Sequence, residues 1–473
     1  MLYLHFINTE NPTAMKHVFK SFLIVLSVLI LTSCAGKKPK TSVENQDKQF
    51  WQYAQTPPMG WNSWDCYGPT VTEAEVKANT DYMAEKLKQH RWEYIVVDIR
   101  WFVANDKAGG YNEKDPVYTM DEYGRLLPAV EKFPSAAEEK GFKPLADYVH
   151  SKGLKFGIHL MRGIPVLAVK NNCPIMGTDV KASEIYSDSL QCKWLHDMYT
   201  IDTLKTGAQE YYNSIFSLYA SWGVDYVKVD DLSRPYHHGE IAMIRKAIDQ
   251  SGRPMVFSTS PGATPLEKAG HVMNHANMWR ICDDFWDNWK MLEPQFKRCA
   301  DWAPYIGDGH WPDADMLPLG HIALRAERGT DRMTGFTKPE QYTLMNLWAM
   351  FRSPLMFGGD LPTNDEFTLS LLTNDDVLAV NQNSAKNKQL KEENGLIVWT
   401  ADVPGTEDKY VAFFNINDSI ASEISVTLAE LGVSGNYTAK DLWSKEDKGS
   451  VADKFTVSVE PHASVLVRFS KEK

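Results

Sequence analysis

At 473 residues the chain has room for two or three ordinary domains, or for one large α/β barrel with a smaller companion, so core size sets no limit. Its 61 acidic and 50 basic side chains give a net charge of -11, which repels nucleic acid phosphates and anionic lipid surfaces and favours a neutral or cationic ligand. Aromatics make up 12% of the chain, with 15 Trp and 20 Tyr, a content suited to stacking on the apolar faces of sugar rings, although any single Trp is more often a packing residue.

From Met15 the chain reads MKHVFKSFLIVLSVLILTSCAGKKPK. Lys16 and Lys20 form a basic region, Phe22 to Leu31 an apolar one, and small residues lead to Cys34. This is the layout of a secretory signal with Met15 as its start, too short for a membrane span. LTSC resembles a bacterial lipobox, which implies cleavage before Cys34, lipidation of its thiol and a tether to a membrane outside the cytoplasm. Residues 35–50 are polar and Lys-rich and read as a flexible linker. Of the six cysteines, Cys66, Cys173, Cys192, Cys282 and Cys299 then remain, an odd set that leaves at least one free thiol. Cys173 and Cys192 are near enough in sequence to pair across a short loop, though spacing alone leaves connectivity open. No CxxC, HExxH or His cluster has metal-ligand spacing, so neither a metal nor a cofactor is inferred.

From residue 57 one unit recurs: an amphipathic helix, a small cap, and an apolar strand that ends in polar residues. Thr72 and Glu75 have capping-box spacing, and Val76, Met83 and Leu87 follow on one face before YIVVD begins. PLADYVHSKGLKFGIHL repeats the plan, with Pro144 near a helix start and Gly153 at its end, and SIFSLYASWGVDYVKVDD repeats it again with Gly223. Further strands are expected at 57–65, 254–261, 278–284, 313–320 and 353–360. Eight strands, apolar on both faces and in strict βα order over roughly 300 residues, predict a closed TIM-type (β/α)8 barrel across 51–385. An open doubly wound sheet fits less well, because no Gly-rich phosphate loop follows any strand. NQNSAKNKQLKEENG reads as a polar connector. Beyond it LIVWT, KYVAFFNI, EISVTL, NYTAKDLW, FTVSV and SVLVRF alternate apolar and polar residues, which predicts an accessory antiparallel β-sandwich over 386–473.

The acids at the expected strand ends are Asp98, Asp230, Asp231, Asp283, Asp284, Asp313 and Asp315. In a barrel these ends meet at one face, where the active site sits. Carboxylates without His or Cys suit two chemistries. They bind a hard divalent metal, as in a phosphoesterase, or they cleave an acetal, one protonating the leaving oxygen while the other traps an oxocarbenium-like centre. A carbohydrate-binding lipoprotein without activity would need the scaffold but not the acids.

TPPMGWNSWDCYG, VDYVKVDD, WRICDDFWDNW and PDADML, in this order and at strand ends, resemble the signatures of glycoside hydrolase family 27, the α-galactosidases and α-N-acetylgalactosaminidases. The resemblance implies a retaining exo-glycosidase that removes terminal α-galactosyl residues from oligo- or polysaccharides. It makes Asp230 the nucleophile and Asp284 the acid/base, with their carboxyl groups about 5 Å apart. It places Lys228 beside the nucleophile to hold it ionised, Arg280 and Asp315 on sugar hydroxyls, Trp64 as an aromatic wall and Asp98 near the 4-hydroxyl. His159 stands where many relatives carry Tyr, as a sugar contact or as barrel lining. Asp231 and Asp283 are expected to point away as salt-bridge or loop-capping acids, Asp313 to cap a turn, and Trp101, Trp222, Trp279 and Trp289 to pack in the core or at the rim.

Two departures bear on the sugar. Most relatives have a second acid after the one at Asp98, where it accepts from the 6-hydroxyl, and this chain has Ile99. β-L-Arabinopyranose is α-D-galactose without the hydroxymethyl group, so an apolar residue there points to β-L-arabinopyranosidase activity. Ser260 stands where many relatives place Glu near the 2-position, which makes room for an N-acetyl group and keeps α-N-acetylgalactosaminidase as a third option. The sequence does not set the aglycone, the linkage or the oligomeric state.

Overall fold

The computed structural model describes residues 48–472, so the expected signal segment, Cys34 and nearly all of the linker lie outside the described residues. Eight parallel strands form the first layer: β1 (Met59–Asn62), β2 (Tyr94–Val97), β3 (Lys155–Met161), β4 (Tyr226–Asp230), β5 (Val256–Thr259), β6 (Met278–Arg280), β7 (Trp311–Asp313) and β8 (Leu355–Phe357). They pair in the order β7-β6-β5-β4-β3-β2-β1-β8. The ring closes where Leu317 bridges Phe357: the Leu317 amide donates to Met356 O (2.8 Å) and the Gly358 amide to Leu317 O (3.0 Å). Strands such as β1 and β2 are buried at every position, as a parallel sheet wrapped by helices requires.

Local chemistry sets the boundaries. The Glu73–Tyr82 helix carries the expected capping box, with Glu75 Oε2 accepting from the Thr72 amide (2.9 Å), and the Ala208–Trp222 helix stops at Gly223, whose φ of 86° few other residues adopt. The strands expected at 57–65, 254–261, 278–284, 313–320 and 353–360 are all shorter in the structure, and the first and seventh show a local reason. The first ends at Asn62 and not at residue 65, because Asn62 Oδ1 accepts from the Trp64 amide (2.9 Å) and starts a helical turn, Trp64–Tyr67. The seventh covers Trp311–Asp313, not 313–320, because Asp315 enters the left-handed region (φ 89°) and breaks the strand.

The C-terminal region holds β9 (Ala385–Glu393), β10 (Leu396–Asp402), β11 (Lys409–Asn415), β12 (Ser422–Thr427), β13 (Tyr437–Asp441), β14 (Asp447–Val451), β15 (Lys454–Val459) and β16 (Ser464–Lys471). Six of them pair as β9-β10-β11-β16-β13-β14, and β12 pairs with β15. The segment read as a connector is therefore largely an edge strand, β9; only Asn387 is fully buried and the others are half-buried or exposed, so no apolar alternation marks it. The large sheet is apolar on both faces. On β10, Ile397, Trp399 and Ala401 join the barrel's core while Val398 joins the core under β12 and β15. Phe414 meets Phe296 edge-on at 5.0 Å, and Trp289 stacks on His462 at 3.8 Å. The sandwich thus shares its core with the barrel, and Trp399→Ala is expected to cost about 3–5 kcal/mol of stability, read as a lower urea midpoint.

Cys173 and Cys192 do not pair; all five described cysteines are free and buried. Cys173 packs beside Gly124 and Ala168, whereas Cys192 lies near Asp231 and Arg162, a different neighbourhood.

Candidate active site

The strand ends open onto a cavity of about 980 Å³. On the β2 side Asp98 is fully buried, and its carboxylate accepts from Asn62 Nδ2 (2.7 Å), Lys228 Nζ (2.8 Å) and the Ile99 amide (2.8 Å). Ile99 follows it on the cavity wall at 1% exposure, presenting hydrocarbon where an acid would present oxygen. The next residue anchors the loop: Arg100 holds Asp197 through two bonds of 2.7 Å and Asp106 at 2.8 Å, all buried. Arg100 also lies over Tyr111 (5.5 Å), and Tyr111 stacks on Trp64 at 5.9 Å. The aromatic wall expected from Trp64 alone is therefore a pair of rings.

Lys228 and Asp230 sit two apart on β4 and face the same side. Asp230 Oδ2 lies 2.9 Å from His159 Nε2, and Oδ1 lies 3.9 Å from Lys228 Nζ. Burial is the largest single influence on Asp230 and opposes its ionisation, but Lys228, His159 and Arg280 together outweigh it and hold the carboxyl below the ordinary range. Lys228 acts on Asp230 across space, since its hydrogen bond goes to Asp98. His159 is fully buried against Asp230 and is absent from the cavity wall, so it touches the carboxylate and not the space a sugar would fill.

Across the cavity Arg280 reaches Asp315 at 2.6 Å and Asp284 at 3.3 Å. Burial pushes Asp315 above the ordinary carboxylate range; Arg280 opposes the shift, and Asp284 and Asp313 reinforce it. Asp315 Oδ2 also accepts from the Phe285 amide (2.7 Å). The side chain of Asp284 is 38% exposed against 7% for Asp230, so one acid is open to water and the other enclosed.

The remaining acids fall as expected. Asp231 turns out of the strand at φ 65° and pairs with Arg162 (2.7 Å), Asp283 pairs with Arg234 at the rim, and Asp313 Oδ1 accepts from the Asp315 amide (2.9 Å). Ser260 is not in the wall: it is 1% exposed and accepts from Arg280 Nη1 (3.3 Å), while Pro261 and Gly262 line the cavity there. Sequence reasoning missed Tyr111 and Trp194, which stand on long loops without periodicity, and Asp65, which it had placed inside a strand.

Residues 56–169 and 176–383 match the family model for alpha galactosidase A, and 393–469 match the alpha galactosidase C-terminal beta sandwich domain. This chain belongs to glycoside hydrolase family 27. Among solved family 27 structures, a β-L-arabinopyranosidase from Geobacillus stearothermophilus in complex with arabinose is 54% identical, with a TM-score of 0.88 over 90% of this chain and 100% of that one. A candidate α-N-acetylgalactosaminidase from Bacillus halodurans is 49% identical, with a TM-score of 0.80 over 88% of this chain and 97% of that one. An α-galactosidase from Cyamopsis tetragonoloba is 28% identical over 94% of this chain and 96% of its own length. Family 27 membership decides between the two chemistries open to the acids: the protein is a glycoside hydrolase.

Proposed function

We propose that this family 27 enzyme removes terminal β-L-arabinopyranosyl residues from oligo- or polysaccharides with retention, and terminal α-D-galactosyl residues as a second substrate. Asp230 attacks the anomeric carbon as the bond to the leaving oxygen breaks; that oxygen keeps the bonding electron pair and receives a proton from Asp284. Asp284 then removes a proton from water, which attacks the same carbon and frees Asp230. Asp98, Lys228, Arg280 and Asp315 supply the polar grip on ring hydroxyls, and Trp64 the apolar face.

The observation that carries the choice of sugar is Ile99 on the cavity wall beside an Asp98 whose oxygens are already bonded. A hydroxymethyl oxygen buried against that side chain would go unpaired, at a cost of about 1–3 kcal/mol, whereas arabinopyranose has no oxygen there. The 54% identical arabinopyranosidase supports the same reading. Ser260 lends no support to the N-acetylgalactosamine option, since it bonds Arg280 and stands outside the cavity wall. The test compares kcat/KM on p-nitrophenyl β-L-arabinopyranoside and α-D-galactopyranoside. Ile99→Asp should shift the ratio toward the galactoside by about 10- to 100-fold, and an unchanged ratio refutes the assignment.

A further inference from the structure

We infer that Asp65 is a further sugar-contact residue of this pocket, hydrogen-bonding a glycon hydroxyl on the wall it shares with Trp64 and Asp98. The inference rests on the glycosidase reading above and adds a residue to its binding site. Asp65 lines the cavity at 3% exposure, one residue after Trp64 in the helical turn that Asn62 starts. Its Oδ2 has no hydrogen-bond partner, and its carboxyl enters no ion pair among the described residues. Asp230 Oδ1 and Asp231 Oδ2 also lack a hydrogen-bond partner, but every other cavity aspartate enters an ion pair: Asp98 with Lys228, Asp230 with His159, Asp231 with Arg162, Asp283 with Arg234, and Asp284 and Asp315 with Arg280.

A buried carboxyl left unpaired weakens the fold, and such groups persist where a ligand completes them. The fold also keeps room for this one, since a Cβ on Gly358 would stand 2.1 Å from Asp65 Oδ2. Burial pushes Asp65 well above the ordinary range, with Asp315 adding to the shift, Lys228 opposing it, and Asp284 and Asp98 contributing. A carboxyl shifted toward its protonated form gains a donor beside its acceptor, the two roles a sugar hydroxyl also plays. It therefore differs from Asp98, whose oxygens already accept three hydrogen bonds within the protein.

The experiment titrates L-arabinose and D-galactose calorimetrically into the native protein, Asp65→Ala and Asp65→Asn, and records Tm without sugar. Asp65→Ala should bind the preferred sugar about tenfold more weakly with no loss of Tm. Asp65→Asn, isosteric and still a donor and acceptor, should bind within about threefold of native. Native-like binding by Asp65→Ala, weakening accompanied by a fall in Tm, or an Asn variant as weak as Ala each overturns the inference. A native protein that cleaves neither aryl glycoside refutes the glycosidase reading instead; native cleavage with unaffected Asp65→Ala binding refutes this inference alone.

Discussion

Asp230→Ala is expected to lower kcat on both aryl glycosides by about 10⁴-fold or more while leaving sugar binding measurable. The loss should be this large because the residue is asked to form a covalent bond, and no neighbour can take its place. Asp231, adjacent in sequence, is turned away onto Arg162, and Asp98 and Asp315 are committed to Lys228 and Arg280. Binding should survive because Lys228 keeps its 2.8 Å bond to Asp98 when Asp230 is removed. Azide added to the variant should enter the space of the lost carboxylate and attack the anomeric carbon, giving a glycosyl azide of inverted configuration while Asp284 protonates the departing oxygen. A variant that keeps more than about a tenth of native kcat would remove Asp230 from the nucleophile's role.

The contacts that keep Asp230 ionised also set a response to acid. Its folded value lies below the ordinary one, so Asp230 contributes stability above the unfolded value of about 3.9, and that contribution is lost as pH falls through the folded value. At neutral pH the carboxylate is already charged and needs no proton removed before it attacks.

Most of the barrel could be read from the chain because each strand is a short apolar run that stops at a charge, and YIVVD, YVKVD and MWR keep that pattern in the structure. What the pattern carries is which residues reach the barrel mouth, so Asp98, Lys228, Asp230, Arg280 and Asp315 were all found. It does not carry how they pair there. Lys228 bonds Asp98 across the intervening strand β3, and Arg162 and Asp231 meet one residue past the register pair Met161 and Asp230, contacts that strand pairing creates. Asp65 escaped for a local reason: Asn62 ends β1 three residues early, so an acid expected inside a strand sits in a turn facing the cavity. The edge strands β9 and β14 were invisible because each has only one fully buried residue, and a strand without a buried face leaves no alternation to read.

Asp284→Ala is expected to separate substrates by their leaving groups. Where the departing oxygen is an alcohol, as in a disaccharide, the variant should lose about 10²–10⁴-fold in kcat/KM, since no proton is delivered as the bond breaks. With p-nitrophenolate, which leaves as a stable anion, the first step should fall far less. The second step still needs a base to activate water, so the glycosyl-enzyme should accumulate, giving a burst of nitrophenol and a lower KM. The partly open setting of Asp284 suits the double duty proposed for it: a group that meets both leaving oxygen and incoming water must face the entrance, whereas the proposed nucleophile Asp230, enclosed between His159 and Lys228, needs to reach only the anomeric carbon. Equal losses on the two kinds of substrate would mean that Asp284 serves only to hold Arg280, which is 4% exposed and already bound to Asp315.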